Sequence, residues 1–347
     1  MSFLWNLISK AEITEDMLKE HSIPILEYSK LNYNYIEEPI VISGFGKFYK
    51  GTYNGHNISL KEVDITISQN IIREFILWKR YQNNPNFLKL KGVILYYNKA
   101  YIIFEDCFDK TLEMLLAKNY LDYAQKIDIA KQILNILNTL KNDKEIVGDL
   151  RPGTLVYCSD KTIKLNDFGL MIPIPDFINN EVINGHRIKY SPPEYLIQDI
   201  IDESYDIYSF GCILIDLFSN DINNSIFMKS YEVFDDYISD INDNKYPKIP
   251  NDLNYLLNQI IIKCINKDPN QRIKINELYY NLNILLDILK SQDSNNPLTN
   301  NEINPNIDLK DHQIIDNDEY VKIKSLYEYA KNINIKSSNT YNNIDNK

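Results

Sequence analysis

The run "EIVGDLRPGTLVY" at 145–157 sets an acidic residue, Asp149, in a short turn between an apolar helix and an apolar strand. Downstream, "NDFGL" sets a second, Asp167, at the end of the next strand, just before Phe-Gly. Acids so placed raise the question of a loop that moves phosphate, or the remains of one. Nearer the N-terminus, "SGFGKFYKG" carries glycines between two strands. Without a Cβ the backbone can approach a ligand closely, and its N–H groups can cradle phosphate. Fifteen residues past Gly46, Lys61 stands among apolar neighbours in "NISLKEV", where it could reach a phosphate. Glu74, on an apolar-striped helix, is its natural partner. Each feature alone has a plainer reading, since G-x-G turns are frequent in hairpins and a strand lysine is often simply exposed.

The elements that must position these residues follow from the patterning. From Ile40 to about Tyr101 apolar and polar residues alternate as in strands, and Asn54-Gly55 marks a tight hairpin turn. One helix interrupts them, "IIREFILWKR", with Ile71, Phe75 and Trp78 on one face. Strands follow in "FLKLKGVILYY" and "AYIIFED". From Lys110 onward helices dominate. Ala130, Ile133, Leu137 and Leu140 share a face, and "YDIYSFGCILIDLFS" is apolar almost all round, as a buried central helix requires. A β-rich half followed by a larger helical half predicts an α+β chain of two lobes with a cleft between them.

Composition narrows the class. The chain has 347 residues and a formal net charge of −11, which argues against nucleic acid or an anionic membrane as the main partner. No run of 18 apolar residues exists, so no membrane span is expected. The start, "MSFLWNLISKAEITEDML", lacks the basic stretch of a signal peptide, and a cytoplasmic location is expected. The four cysteines, Cys107, Cys158, Cys212 and Cys264, are far apart without a C-x-x-C pair, which predicts reduced, buried thiols and neither a zinc site nor a disulfide framework. Residues 1–35 read as a partly helical extension. The Asn-rich stretch 291–347 reads as a disordered tail, with helical spacing of Ile323, Leu326, Tyr327 and Ala330 near 320–331.

Taken together, the glycine turn, Lys61, Glu74, "GDLRP", "NDFGL", "YSPPE", "YDIYSFG" and "CINKDPNQR" occur in an order and at a spacing that resemble a eukaryotic protein kinase domain. The resemblance covers about residues 36–290 and is strongest to the tyrosine-kinase-like group. It implies the two-lobed kinase fold, with a small lobe over about 36–104 and a large one over about 107–290, and it implies ATP and Mg²⁺. By the resemblance Lys61 contacts the α- and β-phosphates and Glu74 holds it. Val41, Ser43, Gly44, Phe45, Gly46 and Phe48 form the nucleotide lid. Phe104 stands at the back of the pocket, with Glu105, Asp106 and Cys107 as the connector between lobes. Asp149 matches the catalytic base, Arg151 the cation beside the transferring phosphoryl, and Asp167 the Mg²⁺ ligand. Glu194 and Arg272 match a buried ion pair, and Asp206 the acid that anchors the catalytic loop.

The departures bear on activity. Val147 stands where the family has a histidine that mainly packs, expected among Phe168, Trp78 and Leu90. Gly148 replaces the arginine that receives a phosphate on the activation segment, and residues 170–189 contain no Ser, Thr or Tyr to carry one. Thr154 replaces the asparagine that holds the second Mg²⁺, which makes it a weak ligand. Val41 and Ser43 stand where two lid glycines are usual, and Phe48 replaces a small β-branched residue above the adenine. A phenyl ring there could stack on a purine or fill its place. The expected function is transfer of the γ-phosphate of ATP to Ser/Thr hydroxyls of a protein substrate or signalling partner, with weak activity. The alternative is a pseudokinase that serves as a binding module or scaffold.

Overall fold

Asn54 and Gly55 adopt φ of 50° and 80°, the left-handed pair that lets two strands turn back without losing their twist. Strand β4 (Gly46–Tyr53) therefore runs antiparallel to β5 (His56–Asp64), in register from Tyr53↔His56 to Lys47↔Glu62. The computed structural model describes residues 11–293 apart from 35–38, 40, 44–45, 68–69, 108–109, 119–120, 168–171, 174–188, 199, 220–225, 227–238, 244, 246, 250–252 and 254. The tail with its expected helix near 320–331 lies outside the described residues, as do Gly44, Phe45, Phe168 and most of the segment 170–189.

The sheet continues through β8 (Lys99–Phe104) on the far side of β5 and β7 (Leu90–Tyr96) beyond it. On the other edge, β3 (Val41–Ser43) and β2 (Leu31–Tyr33) pair with successive parts of β4. One sheet face joins the main core through Phe48, Val63, Ile102 and Phe104. The opposite face builds its own core from Tyr49, Ile58, Leu60, Ile94, Tyr101 and Ile103, closed by Leu26, Tyr28, Leu31, Tyr33 and Tyr53. Much of that cover comes from the stretch expected to be a partly helical extension. It holds one six-residue helix, α1 (Glu15–Glu20), capped by Thr14, whose Oγ1 accepts from Met17 N–H. Beside a one-turn 3₁₀ helix at Tyr28–Lys30, it pairs in extended pieces: β1 (Ala11–Glu12) pairs with β6 (Thr66–Ile67), Leu26 N–H donates to Val93 O, and Val93 N–H donates to Pro24 O.

Helix α2 (Asn70–Tyr81) buries Phe75, Leu77 and Trp78 completely or nearly so, while the side chain of Ile71 lies outside the described residues. The extension grips this helix from behind, where Lys79 Nζ donates to the carbonyls of His21 (2.9 Å) and Ser22 (3.4 Å).

In the helical lobe, α3 (Leu112–Ala117) and α4 (Tyr123–Asn142) follow, the latter opened by a reciprocal cap between Asp122 and Gln125. Ala130, Ile133, Leu137 and Leu140 face the core together. A three-stranded sheet of β9 (Lys110–Thr111), β11 (Leu155–Tyr157) and β12 (Ile163–Leu165) lies under the connector, and β10 (Glu145–Ile146) pairs with β13 (Ile172–Pro173). After α5 (Pro193–Gln198) comes α6 (Tyr205–Phe218), buried at every residue. Gly211 lets α7 (Tyr255–Cys264) come close: a Cβ there would lie 2.7 Å from both Cys264 Cβ and Ile265 Cγ2. The last helix, α8 (Ile275–Asp293), packs along α4, with Tyr279 donating to Asn135.

The cysteine expectation needs correction. Cys212 and Cys264 are free, buried thiols, but Cys107 and Cys158 are disulfide-bonded, with Cα atoms 5.0 Å apart. They are 51 residues apart in sequence, and topology brings them together. The chain after Cys107 enters β9, which pairs with β11, and Cys158 follows β11 directly.

Candidate active site

Lys61 lies in the middle of β5, between Phe48 on β4 and Ile102 on β8. Its Nζ is 3.2 Å from Glu74 Oε2 on α2, and both side chains are sealed from solvent, at 0% and 2% exposure. The ring centroids of Phe48 and Trp78 lie 5.6 and 5.7 Å from Nζ. Phe104 meets Trp78 edge-on at 4.8 Å and Phe48 at 6.4 Å. The aromatic surroundings explain why the pair must be a pair: a lone buried charge costs several kcal/mol. Burial pushes the Glu74 carboxyl up to about 7, against the pull of Lys61 and with a further push from Asp167. For Lys61 burial works the other way, but Glu74 and Asp167 together carry its pKa above the ordinary lysine value.

The catalytic loop is held from below. Asp206, in the first turn of α6, accepts from Val147 N–H (2.6 Å) and Gly148 N–H (3.0 Å). Gly148 has φ +69°, a conformation that side chains rarely adopt. Glycine here thus has a backbone reason. Burial pushes Asp206 up to about 6, opposed by the two N–H groups and assisted by Asp149. Val147 is buried, as is Trp78, while Leu90 is only partly so.

Asp149 is paired with Arg151, whose Nε lies 3.2 and 3.3 Å from its two carboxylate oxygens. Gly153 makes room for that arginine: a Cβ would overlap Arg151 Nη1 and come within 2.9 Å of Glu113 Oε2. The Thr154 hydroxyl is bound into the loop. Its single proton lies between the carbonyls of Asp149 and Arg151 (both 2.9 Å from Oγ1), and Oγ1 accepts from Arg151 N–H (3.2 Å). Asn166 N–H donates to Thr154 O, which ties the segment bearing Asp167 to the loop bearing Asp149. Among the described residues no cluster of three or more His, Cys, Asp or Glu could hold a metal.

The frame below the loop is the ion pair expected from the sequence. Arg272 Nη1 and Nη2 meet Glu194 Oε1 and Oε2 at 2.5 and 2.6 Å, with Nε on Asn266 O and Nη1 on Ser204 Oγ. The connector carries a contact that no sequence spacing suggested: Glu105 accepts from Lys164 Nζ on β12 (2.8 Å) and from Lys89 N–H (3.1 Å). Asp106 follows Glu105, and Cys107 is buried. Val41 and Ser43 have described backbone only, paired to Phe48 and Gly46. Gly44 and Phe45 lie outside the described residues, so the lid tip contributes no geometry.

Known proteins with this pattern agree with the geometry. A probable serine/threonine-protein kinase of Clostridium acetobutylicum is 28% identical over 75% of this chain and 40% of its own length. The dual specificity protein kinase shkE of Dictyostelium discoideum is 26% identical over 70% of this chain and 35% of its own. Cell division control protein 7 of Schizosaccharomyces pombe is 24% identical over 67% and 22%. The chain thus spans 40% or less of the length of these relatives. Residues 36–282 match the model of the protein tyrosine and serine/threonine kinases. That span includes Lys61 on Glu74, Asp149 on its anchored loop and Arg272 on Glu194. With most of its length matched and these pairs in place, the chain belongs to the protein tyrosine and serine/threonine kinase family.

Proposed function

We propose that this chain is a protein kinase that transfers the terminal phosphoryl of ATP to Ser/Thr hydroxyls of a protein, with weak activity. The observation that carries the reading is the closed Lys61–Glu74 pair at 3.2 Å, sealed from solvent on both sides. Lys61, held protonated, binds phosphate oxygens. Asp149 orients the acceptor hydroxyl and takes its proton. Arg151, 3.2 Å from the Asp149 carboxylate, adds positive charge beside that site. The donor set fits a nucleotide with its metal, a buried cation facing one carboxylate, Asp167. When bound, Mg²⁺ neutralises phosphate charge, and Asp167 would hold it. Thr154 contributes at most weakly, because its hydroxyl is engaged by the loop.

Within the family we place the chain nearest the tyrosine-kinase-like group, on "RIKYSPPE" and the arginine at 151, with Pro152 favouring Ser/Thr acceptors. The kinase domain is taken as 36–290, with the extension packed on its small lobe. A cytoplasmic location and a protein signalling partner complete the proposal. Among the described residues no helix is long and apolar enough to cross a membrane.

A second reading, a pseudokinase, is favoured by Phe48. It is 1% exposed, with its ring beside both Phe104 and the Lys61 ammonium, where the nucleotide would need room. A MgATP-induced thermal shift separates the two. The kinase reading expects a shift in the wild type that Lys61→Met removes. No shift in the wild type contradicts it.

A further inference from the structure

The chain leaves the small lobe at Phe104 and joins the large-lobe sheet at β9, where Tyr157↔Lys110 and Val156↔Thr111 are paired. Cys107 lies between these points, and Cys158 is the first residue past β11. Their Cα separation of 5.0 Å falls within the span that a disulfide bridges. Both are 4% exposed. The other two cysteines sit in the helical core, unpaired, their thiols pushed well above the ordinary range by burial. Cysteine pairing is therefore confined, among the described residues, to the junction between the lobes. Two residues before Cys107, the Glu105–Lys164 ion pair makes the same connection without a covalent bond, from connector to β12. Two independent ties thus fasten this short stretch to the sheet beneath it.

We propose that Cys107 and Cys158 are a thiol–disulfide modification site, a reversible tether that fixes the interlobe connector to the β11 edge. The co-reactant is a low-molecular-weight disulfide. One cysteine thiolate attacks a sulfur of that disulfide, forms a mixed disulfide and expels one small thiolate. The second cysteine thiolate then attacks the protein-side sulfur, closing the Cys107–Cys158 bond and expelling the second small thiolate. Two electrons pass from the protein to the small disulfide, and the two protons of the cysteine thiols end on the two small thiols. An excess of small thiol reverses both exchanges. The tether acts on the connector because this stretch joins β8 of the small lobe to β9 of the large one, and cross-linking removes its freedom to shift against β11.

The test uses the full chain equilibrated in reduced or oxidised glutathione, quenched by alkylation and mapped under non-reducing conditions. The oxidised sample should yield a linked peptide containing Cys107 and Cys158, and reduction should release it. Amide exchange over 104–111 and 155–158 should slow about tenfold or more on oxidation, and the melting temperature should rise by roughly 5 °C. Cys107→Ser should show neither change. Alkylation of both cysteines after oxidation, or a glutathione adduct without the cross-link, would overturn the proposal. So would a cross-link that leaves connector exchange unchanged. None of these readouts depends on kinase activity.

Discussion

The loop bearing Asp149 and the pocket around Lys61 are held together in different ways. In the loop the polar skeleton is complete: Asp206 receives two backbone N–H groups, the Thr154 hydroxyl lies between two carbonyls, and Glu194–Arg272 braces the frame below. Val147 there is buried, and Gly148 takes a positive φ that favours glycine. In the pocket the ion pair is closed, and its wall carries a large aromatic, Phe48. The contrast shows which changes a kinase fold absorbs. A buried charge cannot lose its partner cheaply, whereas an apolar wall can change volume and keep its burial.

The largest effect should come from breaking the frame on the loop side. Arg272→Ala leaves Glu194 buried without its partner and should cost about 3–5 kcal/mol, seen as a melting temperature far below that of a surface lysine-to-alanine control. Equal melting temperatures would mean that the loop does not rest on this pair.

A somewhat smaller effect compares the two regions through pH. Asp206 and Glu74 both titrate above their ordinary values, at about 6 and about 7, because they are buried. The folded state therefore holds these protons more tightly than the unfolded one. The stability they add is full below the unfolded pKa and is lost as pH rises through the folded value. In denaturant unfolding, Asp206→Asn should gain on the wild type by roughly 3 kcal/mol up to pH 6 and then level off. Glu74→Gln should go on gaining to pH 7. Curves parallel to the wild type would sink the assignment.

The smallest change sharpens the pocket side. If the Phe48 ring narrows the nucleotide site, Phe48→Val should tighten ATP binding about tenfold, some 1.4 kcal/mol, while lowering stability through the lost packing. Unchanged or weaker binding would mean that the ring stacks on the base instead.

Much of the site was legible because charged residues in apolar runs have few ways to be satisfied. Lys61 with Glu74 falls into that class, whereas Glu194 with Arg272 and Asp206 under its loop were legible only through the resemblance to the kinase family. What could not be read depends on contacts between segments remote in sequence. Residues 24–33 cover the outer sheet face with short extended pieces and single rings, such as Tyr28 stacked on Tyr96 at 3.6 Å, and no periodicity announces such a cover. Cys107 and Cys158 share no spacing rule and meet through the pairing of β9 with β11. The backbone reason for Gly148 needed its φ, and the placement of Phe48 needed the rings around it.

Transfer of labelled γ-phosphate from MgATP to a generic protein acceptor, by wild type and Asp149→Asn side by side, decides whether the Asp149 loop works. A kinase gives slow but measurable transfer in the wild type, on Ser or Thr, that falls to background in Asp149→Asn. Wild-type transfer no greater than that of Asp149→Asn, with ATP binding gained only in Phe48→Val, would contradict the proposed activity and leave a binding module built on a kinase fold.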